Sequence, residues 1–201
     1  MNTQKSHFHR NLIIVLAALF LFTQAILFYP GLVHDPGELA WWQVLLNLLI
    51  ISIPLMLLYG SLYMVVRAWR EHAVTGQVEP RLARTIHWAA RVAVMVIAGF
   101  LSLFSFDVFE IQASPIEVLA GFLIHNIPVI ALVVLLAFAW NRPGVGFVAF
   151  LLTGVLFMFL FGRSFYANWL LFVLPILLIA CLFYIDWKWL TVSSHRLPGN
   201  H

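Results

Sequence analysis

Few side chains in this chain of 201 residues could carry chemistry, and the most informative is His125, set in the apolar run Leu123-Ile124-His125-Asn126-Ile127-Pro128. An imidazole there has two uses. It can exchange protons near neutral pH, with a carboxylate tuning it, or it can hold two helices together by hydrogen bonding. Asp107, Ser102 and Ser105 lie on the preceding apolar segment and Asn126 adjoins the histidine. At 1.5 Å per residue, an antiparallel pairing sets Ser102 at about the depth of His125, with Ser105 and Asp107 successively shallower. Asp107 is also turned about 140° round its helix from Ser102, so a direct Asp107–His125 pair requires helix rotation or bridging water. The polar set is therefore read either as a small proton-accessible pocket or as an interhelical bond. We prefer the bond. Pro128 also frees a backbone carbonyl one turn earlier, which needs a partner.

The elements that must position these residues follow from composition. Hydrophobic residues make up 63% of the chain and charged residues 9%, against roughly 45–50% and about 25% in soluble domains. Apolar stretches long enough to cross a hydrocarbon core of about 30 Å recur along the sequence. An all-α fold is predicted, a polytopic transmembrane helical bundle with six spans at about 12–29, 41–66, 88–106, 116–140, 144–161 and 169–185. Pro30 and Gly31 are expected to stop the first span, Pro115 to start the fourth, and Asn141-Arg142-Pro143-Gly144 to turn into the fifth. Pro54 and Pro175 are expected to kink the second and sixth. The first apolar run is too long for a secretory signal core and has no cleavage signature, so it reads as an uncleaved membrane helix.

Charge orients the bundle. With the N-terminus inside, ten of the eleven Lys and Arg residues fall on the cytoplasmic side and only Arg163 falls outside, as short loops of a membrane protein require. Both termini are then cytoplasmic. The formal charge of +3 is explained by this topology and implies no nucleic-acid partner. Tryptophans near the predicted helix ends suit interfacial anchoring.

The chain divides into a transmembrane hairpin (1–70), a basic cytoplasmic connection (71–87), a four-helix unit (88–189) and a cytoplasmic tail (190–201). In the connection, Thr75-Gly76-Gln77 reads as a turn and Glu79-Pro80 as a helix start. Arg67, Arg70, Arg81 and Arg84 are candidates for contact with anionic lipid. Thr23, Gln24 and Asn47 could bond across the hairpin. Gly146, Ala149 and Thr153, beside Gly154, form a small-residue stripe in the fifth span whose default meaning is close helix packing.

Several short pieces of the C-terminal unit occur together: Ser102-Leu103-Phe104-Ser105-Phe106-Asp107-Val108-Phe109, the His125-Asn126 segment, Ala139-Trp140 before a Gly-rich helix, and Asp186-Trp187 at the end. Between Thr85 and Trp189 the chain resembles a family of small prokaryotic four-helix membrane proteins of unknown function. The resemblance implies a fold and a bacterial-type membrane, and brings no catalytic residues.

Nothing in the sequence names an enzyme. There is no P-loop, dinucleotide fingerprint, nucleophile elbow or zinc-protease motif. His7, His9, His195 and His201 lack metal-ligand spacing, and no metal or cofactor is expected. Cys181 is the sole cysteine, so no intramolecular disulfide can form. The expectation is a non-enzymatic structural or accessory component of a prokaryotic cytoplasmic membrane, whose candidate partners are the bilayer, other membrane proteins and itself. A proton-coupled permease using His125 is the rival, and a lipid-modifying enzyme a weaker third.

Overall fold

A computed structural model describes residues 2–34, 40–110, 114–161 and 166–190. These form helices α1 (Asn2–His34), α2 (Trp41–Thr75), α3 (Pro80–Leu103), α4 (Pro115–His125), α5 (Ile127–Ala139), α6 (Pro143–Phe161), the single turn α7 (Tyr166–Asn168) and α8 (Leu174–Ile185). A 3-10 segment, Phe104–Glu110, extends α3, and π-helical turns at Trp169–Val173 and Asp186–Leu190 flank α8. No strand occurs among the described residues.

Five helical stretches are long and apolar enough to cross a membrane individually, and α4 with α5 passes only as a pair bent by 44°. The break has a local cause. Pro128 cannot donate to the carbonyl one turn back, and Asn126 stands between the two helices with φ −85° and ψ −4°. Helix α4 packs on the 3-10 segment and α5 packs on α3. The pair begins beside the 3-10 segment, where the Phe109 and Phe122 rings lie 5.5 Å apart, and finishes at Trp140, whose carbonyl meets Arg91 midway along α3.

Another breaker acts differently from expectation. Helix α1 continues through Pro30 and Gly31 to His34, since a proline removes one backbone bond without obliging the helix to end. Helix α2 is continuous across Pro54, which is compatible with a kink there. Pro175 does mark a departure, following a π turn in which Leu174 N–H donates to the Trp169 carbonyl. The start signals are met. Gly76, with φ 70°, closes α2 and donates to the His72 carbonyl at 2.8 Å. Pro80 opens α3, and Ser114 with Glu117 forms a capping box at α4.

Helix α8 is the centre, packing on α2, α3 and α6. Its Ile176, Ile179, Leu182 and Phe183 are fully buried against Ile86, Val94 and Ile97 of α3 and Phe150 of α6. Because lipid is as apolar as these side chains, close packing rather than water exclusion favours this arrangement. Helix α2 enters the same core through Ala68, so the hairpin and the four-helix unit share one interior. Helices α1 and α4 stay peripheral, α1 being tied to α2 by the Thr23–Tyr59 hydroxyl pair at 3.0 Å and by Gln24 donating to Ser52 Oγ at 2.8 Å. Asn47 is exposed and makes no such bond among the described residues.

The small-residue face of α6 meets α8. A Cβ on Gly146 would stand 2.6 Å from the Phe183 ring, and one on Gly154 would stand 2.5 Å from Leu177. The buried seam is Gly146-Phe150-Gly154-Phe157, while Ala149 and Thr153 lie half-buried at its flank. Thr153 donates to the Ala149 carbonyl at 2.8 Å, which satisfies its hydroxyl within the helix. Gly146→Leu and Gly154→Leu should each destabilise the protein by about 1–3 kcal/mol through overpacking, and Ala149→Leu by less. Melting in mild detergent checks this, and wild-type melting of both glycine variants would contradict the seam.

Candidate functional site

A guanidinium inside an apolar bundle has five N–H donors to satisfy, and Arg91 is only 1% exposed. It sits well inside α3, which begins at Pro80. Nε and Nη2 both donate to the Trp140 carbonyl, at 3.1 and 2.7 Å. Nη1 donates to Asp186 Oδ2 at 3.0 Å and to the His87 carbonyl. The guanidinium carbon also lies 5.6 Å from the Phe183 ring centroid. One side chain thereby caps the carboxyl end of α5 and pairs with the residue ending α8.

Asp186 is 4% exposed and stands where the α8 dipole is negative, an unfavourable place for a carboxylate. Arg91 offsets that, and His87 adds a second donor: its Nδ1 lies 3.1 and 3.0 Å from the two carboxylate oxygens. An ionised carboxylate only accepts, so Nδ1 carries the proton and Nε2 points away from the pair. The His87 side chain is 43% exposed. The cluster therefore has a sealed core and one imidazole reaching outwards. A His–Asp pair can act as a general base, yet no hydroxyl or thiol hydrogen-bonds to His87 among the described residues.

The surrounding contacts gather at the same end of the bundle. The His72 ring stacks on Trp189 at 4.3 Å, joining α2 to the turn after α8. A Cβ on Gly144 would be 3.1 Å from the Trp187 ring, and the Lys188 ammonium lies 4.0 Å from that ring. Arg67 pairs with Glu71 at 3.0 Å and with Glu79 at 2.9 Å. Arg70 lies over Phe8 at 3.6 Å.

Of the sequence-predicted site residues, the polar set around His125 is not joined by hydrogen bonds. His125 Nδ1 bonds the Gly121 carbonyl of its own helix at 2.9 Å, and its side chain is exposed. Asn126 donates to the Phe122 carbonyl at 2.9 Å, Ser102 to Gly99 at 2.7 Å and Ser105 to Ser102 at 2.5 Å. Asp107 is exposed and makes no hydrogen bond or ion pair among the described residues. The expected interhelical bond is thus replaced by bonds to the backbone one turn back, the partner always within reach of a helical side chain. Among the four candidate lipid-contacting arginines, Arg67 is occupied by two carboxylates and Arg70 by a ring, whereas Arg81 and Arg84 are exposed. Arg163, Arg196, His195 and His201 lie outside the described residues. No group of three or more His, Cys, Asp or Glu among the described residues could hold a metal.

Sequence reasoning missed the Arg91–Asp186 pair by counting Arg91 as a flanking positive charge. The available signal was its position on the face of α3 that carries Ala90 and Val94, with an opposite charge closing another apolar helix.

Fold and site together define a helical membrane protein whose bundle is closed at one end by a buried ion pair. Comparison of sequences places it further. The chain belongs to the family described as a domain of unknown function, DUF7670, whose model matches residues 79–197. That match starts at the turn before α3 and leaves α1 and α2 outside. No curated protein and no solved structure gave a significant match.

Removing one partner of a buried pair strands the other charge. Arg91→Leu and Asp186→Leu should each lower stability by about 3–5 kcal/mol, while the double variant should recover most of that loss. Unfolding in mixed detergent micelles checks this, and additive losses in the double variant would show that the pair does not act as a unit.

Proposed function

We propose that the protein is a non-enzymatic structural or accessory component of an assembly in a prokaryotic cytoplasmic membrane. It crosses the bilayer six times, with α4 and α5 forming one broken span and both termini in the cytoplasm. The observation that carries this reading is the closed state of the interior charges: Arg91 and Asp186 satisfy each other and the backbone across three helices. A permease needs polar groups facing a hydrated path. His125, the residue best suited to carry a proton by its depth, is instead bonded to its own helix. The 10 to 1 division of Lys and Arg across the six spans supports the orientation, and the family's unassigned function fits a role without a catalytic signature.

Purification in mild detergent should yield a stoichiometric companion membrane protein or a defined homo-oligomer. A clean monomer with robust transport or enzymatic activity would overturn the proposal. Reporter fusions should place the position after Trp189 in the cytoplasm and the connection between α1 and α2 outside; the same side for both would exclude the orientation. Liposomes containing the wild type should show no pH-driven flux above protein-free vesicles. His125→Gln and His125→Leu should melt within about 0.6 kcal/mol of the wild type, because only a bond within one helix is lost. Wild-type flux abolished equally by both substitutions would make His125 a proton carrier and the protein a permease.

A further inference from the structure

Two hollows lie beside α1, one between its start, the end of α2 and the turn before α3, the other along the seam between α1 and α2. The antiparallel register that sets Gln24 beside Ser52 at 2.8 Å carries, by an equal step along each helix, to His9 opposite Arg67. There a hollow of about 350 Å³ is lined by His9, Arg67, Glu71 and Glu79 among others. Deeper along the same seam a groove of about 460 Å³ opens between Ile13, Ala17 and Phe20 of α1 and Met56, Tyr59 and Gly60 of α2. From Ile13 to Phe20 the groove runs about 10 Å along the helix axis, within the half-thickness of about 15 Å that one leaflet's hydrocarbon occupies.

A charged hollow above an apolar groove has the shape and polarity of a phospholipid. The charges narrow the class. Arg67 donates to Glu71 and Glu79 through Nε and Nη2 and keeps further N–H groups for an anion. Two carboxylates face that single guanidinium, and Glu79 is 47% exposed, so the hollow still has acceptor capacity for a cation. The His9 Nδ1 atom is buried without a hydrogen-bond partner, a group that gains from a ligand. A purely anionic headgroup would meet the carboxylates, and a trimethylated amine would bring no N–H donor to them.

We propose that the α1–α2 seam binds one phospholipid with a primary-amine headgroup, of the phosphatidylethanolamine class. Its ammonium lies against Glu71 and Glu79 and its phosphate faces Arg67 and His9. One acyl chain fills the groove beside Gly60. The site uses α1, α2 and the turn before α3, and does not depend on which assembly the protein serves.

Delipidated full-length protein, titrated with phosphatidylethanolamine, phosphatidylcholine or phosphatidylglycerol and read by native mass spectrometry, tests it. One equivalent of phosphatidylethanolamine should bind at least tenfold more tightly than either other lipid, and soluble phosphoethanolamine should not compete because it lacks the chain. Gly60→Leu should weaken that binding at least tenfold, since a Cβ there meets nothing within 4 Å and the larger side chain takes up groove space. Lipid-free melting should stay at the wild-type value. Glu79→Gln should remove the preference for phosphatidylethanolamine over phosphatidylcholine, and this variant decides the matter even if Gly60→Leu misfolds. Equal binding of the three lipids, tighter binding of phosphatidylglycerol, or an unchanged preference in Glu79→Gln would overturn the proposal.

Discussion

The fold depends on the rule that a charge withdrawn from water must find its counter-charge and hydrogen bonds within the protein. Arg91 meets that requirement with partners on three different elements, so its guanidinium can be buried only when α3, α5 and the end of α8 are all in place. The pair contributes less as net stability than as a condition on geometry: any packing that separates Asp186 from Arg91 leaves two charges stranded. In a medium where apolar side chains gain little by meeting one another rather than lipid, such a condition does much to select one arrangement of helices.

The remaining selection comes from shape. Glycines at 146 and 154 let α6 approach until the Phe183 ring and the Leu177 side chain occupy the space that other residues' Cβ atoms would fill. Phe150 and Phe183 then stack at 5.4 Å with planes 7° apart, so bulk and absence of bulk alternate along the seam. The ion pair fixes which helices meet at the basic end, and the glycines fix how closely α6 and α8 run thereafter.

Much of this was legible in the sequence because hydrocarbon imposes a simple length and polarity code. Apolar runs gave the helical class, and the turn at Thr75–Gln77 and the starts at Pro80, Pro115 and Pro143 followed from local backbone chemistry. Pro30 misled because a proline removes one backbone bond and need not end the helix that contains it. His125 misled for a related reason: a polar side chain in an apolar helix signals that some acceptor is needed, without saying whether it lies on a neighbour or one turn back. Arg91 was hidden by its composition class, since an arginine near a tryptophan at a span's end looks like an interfacial anchor. Its role emerges only when Asp186, distant in sequence, is brought to 3.0 Å from it.

The broken fourth span has a different implication, for how the sequence is free to drift. Helix α4 contains no buried residue, so its fit to neighbours is slight: the Phe122 ring lies against Phe109 and Gly121 approaches Val108. Substitutions along α4 face one filter, which is solubility in lipid. Those along α8 face many at once, from rings, glycines and a carboxylate. Within one small bundle, the pace at which sequence can change is therefore set helix by helix, slowest at the centre and fastest in a segment whose main demand is to remain apolar.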